Sequence, residues 1–545
     1  MTLPPTERTA TLPTDAEFPI AWVDPADAEM TWEWDDMHMP IAVPALGGDY
    51  VRVICAGMAY GYRRLGTPAE LRVRIWNGYA YFGLFTEVAE AEQAAMWQRR
   101  TEAARAAIPI ADAYWRRAVP ELRAAYAWVA ARPVETMPAD ELAGAWDEVW
   151  ARISRCWAIH FYAIRGPYQV LEDLADLVES VIEDPKPGEA LGLIGGGGHE
   201  LHDVERRLEG LAAIVVQTPG LADRLTEPDI SLDALAGAPG AQPFADALDA
   251  FLIEHGHLGQ TFDDLRQASW AEEPVLLLTE LVKRVRDPVA IGAEERRLRL
   301  AAVADELADR VRAALASDPE KLERFEDLLV TARLIGPLTE THNYWIDRMA
   351  QASLRRFVMR VGRHLAEAGS IAEPDDIFCL GRDEVPDLLR QPSDRRATIR
   401  ERQAELARWA AIRPPRKVGV PSEDGGGDRF DGARYVSTAP DELRGTGASA
   451  GIVRGPARVT LTQADFGAVQ RGDIIVCPSS NPSWVPLFAI AGGLITNTGG
   501  VLSHAAVVAR EFALPAVVGT GDATTRIADG RLVELDGSTG VVRLL

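Results

Sequence analysis

At 545 residues the chain is too long for one hydrophobic core, and about 150 residues per domain gives about three or four units. Its 57 basic against 81 acidic side chains leave a net charge of −24, which argues against nonspecific binding to nucleic acid or anionic membranes, since both need a positive footprint. Cys55, Cys156, Cys379 and Cys477 lie far apart and form no Cys-x-x-Cys pair, a pattern of reduced thiols rather than of a zinc or disulfide framework. The only lysines are Lys186, Lys283, Lys321 and Lys417, few candidates for a nucleotide-gripping side chain.

The start of the chain is polar and proline-rich, without the basic-then-apolar order of a signal peptide. Residues 1–17 read as a disordered tail. No apolar run approaches the roughly 20 residues of a membrane span, so the expected location is the cytoplasm. An aromatic, acidic stretch follows, Trp32-Glu33-Trp34-Asp35-Asp36-Met37-His38, in which Asp36 and His38 could line a pocket but aromatic packing is the plainer reading. Residues 71–86 alternate apolar and polar positions around Asn77-Gly78, the pattern of a β-hairpin with a tight turn.

From about residue 89 to 409 the apolar positions recur at three and four, in a composition rich in Ala, Leu, Arg and Glu. Residues 18–412 therefore read as one large, mainly helical domain with an N-terminal hairpin. Pro414-Pro415 and the run Gly425-Gly426-Gly427 mark a flexible linker over 413–445. Beyond it, short β-branched runs at 457–461, 473–477, 493–496, 516–519, 531–535 and 541–545 surround a single helix. The expected fold class is multidomain α+β, with the helical body followed by a compact β/β/α domain over 446–545.

One segment of that last domain carries chemistry: Thr496-Asn497-Thr498-Gly499-Gly500-Val501-Leu502-Ser503-His504-Ala505-Ala506-Val507-Val508-Ala509-Arg510. An apolar strand ends at Thr496, a Gly-Gly turn follows, and a helix begins near His504. A histidine on the first helical turn faces unpaired backbone N–H groups and the positive end of the dipole, which suits a phosphoryl group. Gly499 and Gly500 allow positive φ or close approach. Thr498 and Ser503 can cap the helix or donate to phosphate oxygens. Arg510, six residues on, could steady the same group or pair with an acid.

This segment, continued by Leu514-Pro515-Ala516-Val517-Val518-Gly519 and preceded by Gly451-x-x-x-Gly455-x-Ala457 and Gly472-Asp473-Ile474-Ile475-Val476, resembles the swivelling phosphohistidine (mobile) domain of phosphoenolpyruvate-utilising enzymes. Asn481-Pro482-Ser483-Trp484-Val485-Pro486-Leu487-Phe488 is similar to a loop of the rifampin phosphotransferases within that family. His255-Gly256-His257-x-Gly259, Asp263-Asp264-Leu265, Trp270 and Pro274 look like their substrate domain, as do the stretch from Ala332-Arg333 to Trp345 and Glu373-Pro374-Asp375-Asp376-Ile377-Phe378.

The resemblance implies that His504 is the phosphorylated residue, supported by Thr498, Gly499, Gly500, Ser503 and Arg510. His257 and Asp263 become candidates for the acceptor pocket and its base, as do Glu340 and His342, which lie near Asn343 and Asp347 on one predicted helix. Where the rifampin enzymes carry an Arg-Glu pair this chain has Thr339-Glu340, so a phosphate-gripping arginine does not carry over. No Gly-x-x-x-x-Gly-Lys-Ser/Thr loop is present, and Gly195 to Gly198 lead into His199-Glu200 without a lysine. The layout resembles the α subunit of phenylphosphate synthase, whose ATP-binding part is a separate chain.

The expected activity is then that of an ATP-dependent phosphotransferase of the dikinase type with paired acceptors. A separate ATP-grasp subunit would bind ATP and Mg²⁺ and charge His504, and the domain would swing on its linker to a small hydroxylated acceptor bound in the helical domain. No metal site is read in the chain itself. Two alternatives remain: a non-catalytic or regulatory protein that kept the swivel fold but lost phosphorylation, and an enzyme whose phosphorylation activates the acceptor for later elimination or carboxylation.

Overall fold

A computed structural model describes residues 18–545 except 37, 68, 87, 184, 186–187, 228–230, 260–263, 287–291, 421–438, 462, 481–483, 489 and 502. The expected tail, most of the glycine-rich linker, Asp263 and residues 481–483 therefore lie outside the described residues. The chain forms two compact units, each assembled from three stretches: residues 1–166, 262–267 and 345–425 in the first, and residues 167–261, 268–344 and 426–545 in the second.

In the first unit the expected hairpin is present as β2 (Glu70–Trp76) and β3 (Tyr79–Phe85), paired antiparallel. Asn77 and Gly78 both take positive φ, 53° and 82°, as a tight two-residue turn between twisted strands requires. Two further strands extend the sheet to the order β2-β3-β1-β4: β1 (Thr31–Trp34) and β4 (Lys417–Gly419). Part of the stretch read as linker is thus strand, held by Tyr81, whose hydroxyl donates to Pro415 O at 2.7 Å.

The aromatic stretch packs inward. Trp32, Trp34, Trp76, Tyr79, Tyr81 and Trp409 form one buried cluster, and the Trp32 and Trp34 indoles donate to the carbonyls of Asp27 and Met39. These side chains bring large apolar area together with an N–H that finds a partner, so they can be buried whole. Asp36 and His38 sit at its edge.

The helices Ala45–Arg64 and Ala139–Ala163 cross closely because small residues line the contact. A β-carbon on Gly57 would lie 2.7 Å from the backbone of Trp157. Gly57→Leu is therefore expected to force the helices apart and destabilise this unit by about 3 kcal/mol. Thermal unfolding followed by circular dichroism checks this, and an unchanged midpoint would contradict it.

The second unit joins the helices Glu200–Gln217, Gln242–His255, Val275–Arg286, Ala293–Ala314 and Pro319–Ile335 to the C-terminal β-rich part. That part is a sheet in the order β5-β12-β11-β7-β8-β9-β10-β6, made of β5 (Glu442–Arg444), β6 (Thr446–Ser449), β7 (Ile452–Val459), β8 (Ile474–Cys477), β9 (Gly493–Thr496), β10 (Ala516–Val518), β11 (Leu532–Asp536) and β12 (Val541–Leu544). The run β7-β8-β9-β10 is parallel. β8 and β9 are wholly buried because both faces are covered, which is why they read as unbroken apolar runs rather than alternating ones. Ile475, Cys477 and Leu494 face the helix His504–Glu511, while Ile474, Val476 and Ile495 face Val533, Leu535 and Val542. The architecture is multidomain α+β, with a mainly helical body and a C-terminal β-sheet region, in agreement with the expected class.

Candidate active site

His504 stands where a parallel strand gives way to a helix. β9 ends at Thr496, a loop of seven residues turns, and the helix His504–Glu511 begins. The loop is shaped from within. Thr496 Oγ1 donates to Thr498 O at 2.6 Å, and Thr498 Oγ1 donates to Pro478 O at 3.1 Å. Gly499 has φ of +108°, and a β-carbon there would lie 2.8 Å from Ser503 Oγ, so the turn needs glycine. Ser503 caps the helix: its Oγ accepts from Ala506 N at 3.4 Å and donates to Gly500 O at 2.8 Å.

The helix buries Ala505, Ala506, Val508 and Ala509 against β8, β9 and β10. That leaves His504 at the first helical position, pointing away from the sheet core. Its side chain is only 12% exposed, because Glu340 covers it. His504 Nδ1 lies 3.1 Å from Glu340 Oε2, and the same oxygen accepts from Asn343 Nδ2 at 3.4 Å.

A carboxylate can only accept, so Nδ1 carries the hydrogen of this contact and the lone pair of a neutral ring is left on Nε2. Nε2 is buried and has no hydrogen-bond partner among the described residues. A histidine held through one nitrogen, with the other free at a helix N-terminus, is arranged as a nucleophile toward a phosphoryl group.

Other predicted residues fall as follows. The Arg510 guanidinium donates to the carbonyls of Ala448 and Val501 at 3.1 and 2.7 Å, and burial pushes its pKa down to about 10. It ties the helix to β6 and to the loop that leads into His504. His342 lies in the short helix Leu338–His342 with its Nδ1–H directed to Leu338 O at 2.8 Å. His257 is buried with its ring edge-on to Tyr344, 4.6 Å between centroids. The helix read over residues 340–347 changes to a π-helical turn over Asn343–Arg348. Among the described candidates outside the His504 motif, Glu340 is the one whose side chain bonds His504.

Three residues that the sequence reading did not single out as site residues join the cluster. His199 Nε2 lies 3.0 Å from Glu511 Oε1, and the His202 ring lies tilted against His199 at 4.2 Å between centroids. Burial pushes the Glu511 carboxyl up, but His199, His202 and His504 outweigh it and hold it below the usual carboxylate range. Burial and the neighbouring His199 push His202 down to about 4, so it is neutral at pH 7. The spacing His199-x-x-His202 was a signal in the sequence; nothing local announced Glu511.

Residues 469–540 match the profile of the PEP-utilising enzyme, mobile domain, and residues 170–340 match that of the Rifampicin phosphotransferase fourth domain. The chain carries a PEP-utiliser mobile domain. The second match ends at Glu340, so the His504–Glu340 contact joins the mobile domain to the fourth-domain segment.

Chondramide synthase cmdD of Chondromyces crocatus is 31% identical over 99% of this chain and 14% of its own length. Rifampicin phosphotransferase of Streptomyces sviceus is 30% identical over 71% of this chain and 44% of its own. The uncharacterized phosphotransferase YvkC of Bacillus subtilis is 29% identical over 55% of this chain and 36% of its own. The chain thus spans less than half the length of each of these relatives. No helix among the described residues is long and apolar enough to cross a membrane.

Proposed function

We propose that this chain is a phosphotransferase component that carries a phosphoryl group on Nε2 of His504 and passes it to a hydroxyl of a small organic acceptor. The observation that supports the reading is the dyad: Nδ1 engaged by Glu340 at 3.1 Å, Nε2 buried and without a partner among the described residues. In the charging step the Nε2 lone pair attacks phosphorus and the P–O bond to the donor's leaving group breaks. In the second step the acceptor oxygen attacks, the P–N bond breaks, and its electron pair returns to Nε2 while a base takes the hydroxyl proton. While the carrier rests against Glu340, that carboxylate holds the Nδ1 hydrogen, so in the second step the ring leaves neutral rather than as an anion.

Charging is assigned to a separate ATP-grasp subunit that binds ATP and Mg²⁺, the β-phosphoryl group being transferred with release of AMP and phosphate. Residues 446–545 act as the travelling carrier and 413–445 as its tether. His257 is proposed to line the acceptor pocket and to serve as the base. Phosphoryl transfer rests mainly on positioning and charge stabilisation, which a carrier meets by visiting two sites in turn.

The test is to incubate the full chain with an ATP-grasp partner and ATP labelled at the β-phosphorus. The expected product is an acid-labile phosphohistidine whose phosphorus NMR signal is that of the Nε2 isomer. Label on Nδ1 would contradict the dyad, and a chain that takes up no label would favour a binding or regulatory role.

A further inference from the structure

Beside the carrier histidine, a second cluster is built from the body and the mobile domain together. His199 precedes the first residue of the helix Glu200–Gln217 and His202 lies three positions on, so both rings rise from one face of the helix start. Glu511 is the last residue of the helix His504–Glu511, which belongs to the mobile domain. One nitrogen of each imidazole and one oxygen of Glu511 lie within 4.8 Å of one another. The His199 side chain is 6% exposed, and Nδ1 of His199 and Nδ1 of His202 are both buried with no hydrogen-bond partner among the described residues. An ion pair with Glu511 uses one nitrogen of one ring, and the second imidazole lies tilted against the first with no group among the described residues to accept from or donate to at Nδ1.

We propose that His199, His202 and Glu511 bind a divalent transition metal ion of the zinc class, which fastens the mobile domain's helix to the helix Glu200–Gln217. Two imidazoles and one carboxylate form a donor set that suits zinc or cobalt, whereas magnesium and calcium take oxygen ligands. Three protein ligands leave a fourth tetrahedral position for water. Bonds of about 2.0–2.2 Å in a tetrahedron put neighbouring ligand atoms about 3.3 Å apart. The 3.0 Å between His199 Nε2 and Glu511 Oε1 is already close to that value, and a ring nitrogen of His202 lies within 4.8 Å of both ligand atoms. The metal takes the place of the hydrogen shared by His199 and Glu511.

The two sides of the site are 312 positions apart in sequence, so it exists only when the mobile domain rests on the body. By linkage, an ion that binds this arrangement and no other increases its population. The site is independent of phosphoryl carriage by His504 and of the Mg²⁺ that accompanies ATP.

The experiment is a titration of the metal-stripped full chain with Co²⁺, without nucleotide, followed by visible absorption. The expected result is one equivalent of Co²⁺ bound with the intense bands of tetrahedral coordination, displaced by Zn²⁺. His202→Ala and Glu511→Gln are each expected to weaken binding by about 100-fold or more, since even groups behind the ligands cost about 10–100-fold. His364→Ala, in the helix Met349–Glu367 and outside the cluster, is expected to leave it unchanged. Circular dichroism confirms that each variant is folded, and the two ligand variants are independent tests should one fail to fold. A wild-type chain that binds no stoichiometric Co²⁺, or binding that is unaltered in both ligand variants, would overturn the site.

Discussion

His504→Ala is expected to abolish phosphoryl labelling and all turnover, while Glu340→Gln slows transfer by about 10²–10⁴-fold without abolishing it. The two substitutions separate the carrier from the group that prepares it. Alanine at position 504 removes the atom proposed to bond phosphorus, and among the described residues no other imidazole hydrogen-bonds Glu340. The fold has little reason to change. The helix keeps its Ser503 cap, and alanine at a first helical position is well tolerated.

Glutamine at position 340 keeps the shape of the contact but presents an amide that can donate as well as accept. His504 can then place its hydrogen on Nε2, the nitrogen that must attack, and the productive tautomer becomes a minority. The expected signature is a lower rate of discharge to the acceptor, with the charging rate and the final amount of label little changed. Residual label in His504→Ala, or wild-type rates in Glu340→Gln, would each refute its half of the assignment.

Locking the mobile domain in place is expected to stop turnover as completely as losing the histidine. A β-carbon on Gly188 would lie 3.7 Å from Val501 Cβ, within the roughly 3.5–4.5 Å span of a disulfide. The natural cysteines Cys55, Cys156, Cys379 and Cys477 are all buried and do not compete. Gly188 has φ of +72°, so a cysteine there costs about 1–2 kcal/mol, which the crosslink itself offsets.

In the arrangement described, His504 Nε2 is buried and an external ATP site cannot reach it. The oxidised Gly188→Cys, Val501→Cys protein should therefore accept no phosphoryl group from an ATP-grasp partner. Reduction should restore charging to the level of the uncrosslinked double variant. Equal charging of the oxidised and reduced forms would show that His504 is loaded without domain motion.

The residues that shape the carrier site lie within a dozen positions of one another, and their order alone led to His504, to the glycine turn and to the Ser503 cap. The same holds for the hairpin, since the Asn77-Gly78 dipeptide specifies a turn whose geometry depends on those two residues. The strands β8 and β9 were likewise legible, because a buried parallel sheet imposes unbroken apolar runs.

Other elements left no such mark. β1 and β4 are short and derive their place from pairing with each other across the first unit's sheet, and β5 and β6 are three- and four-residue strands stabilised by β12 and β10. Glu340, 164 positions before His504, was one of several acids on a predicted helix until packing set it against Nδ1. Glu511 was a polar helix residue until the fold laid it on His199. Turn chemistry, capping and apolar periodicity act over a few residues and are written in sequence. Which carboxylate meets which imidazole depends on how distant surfaces pack, and only the tertiary structure decides that.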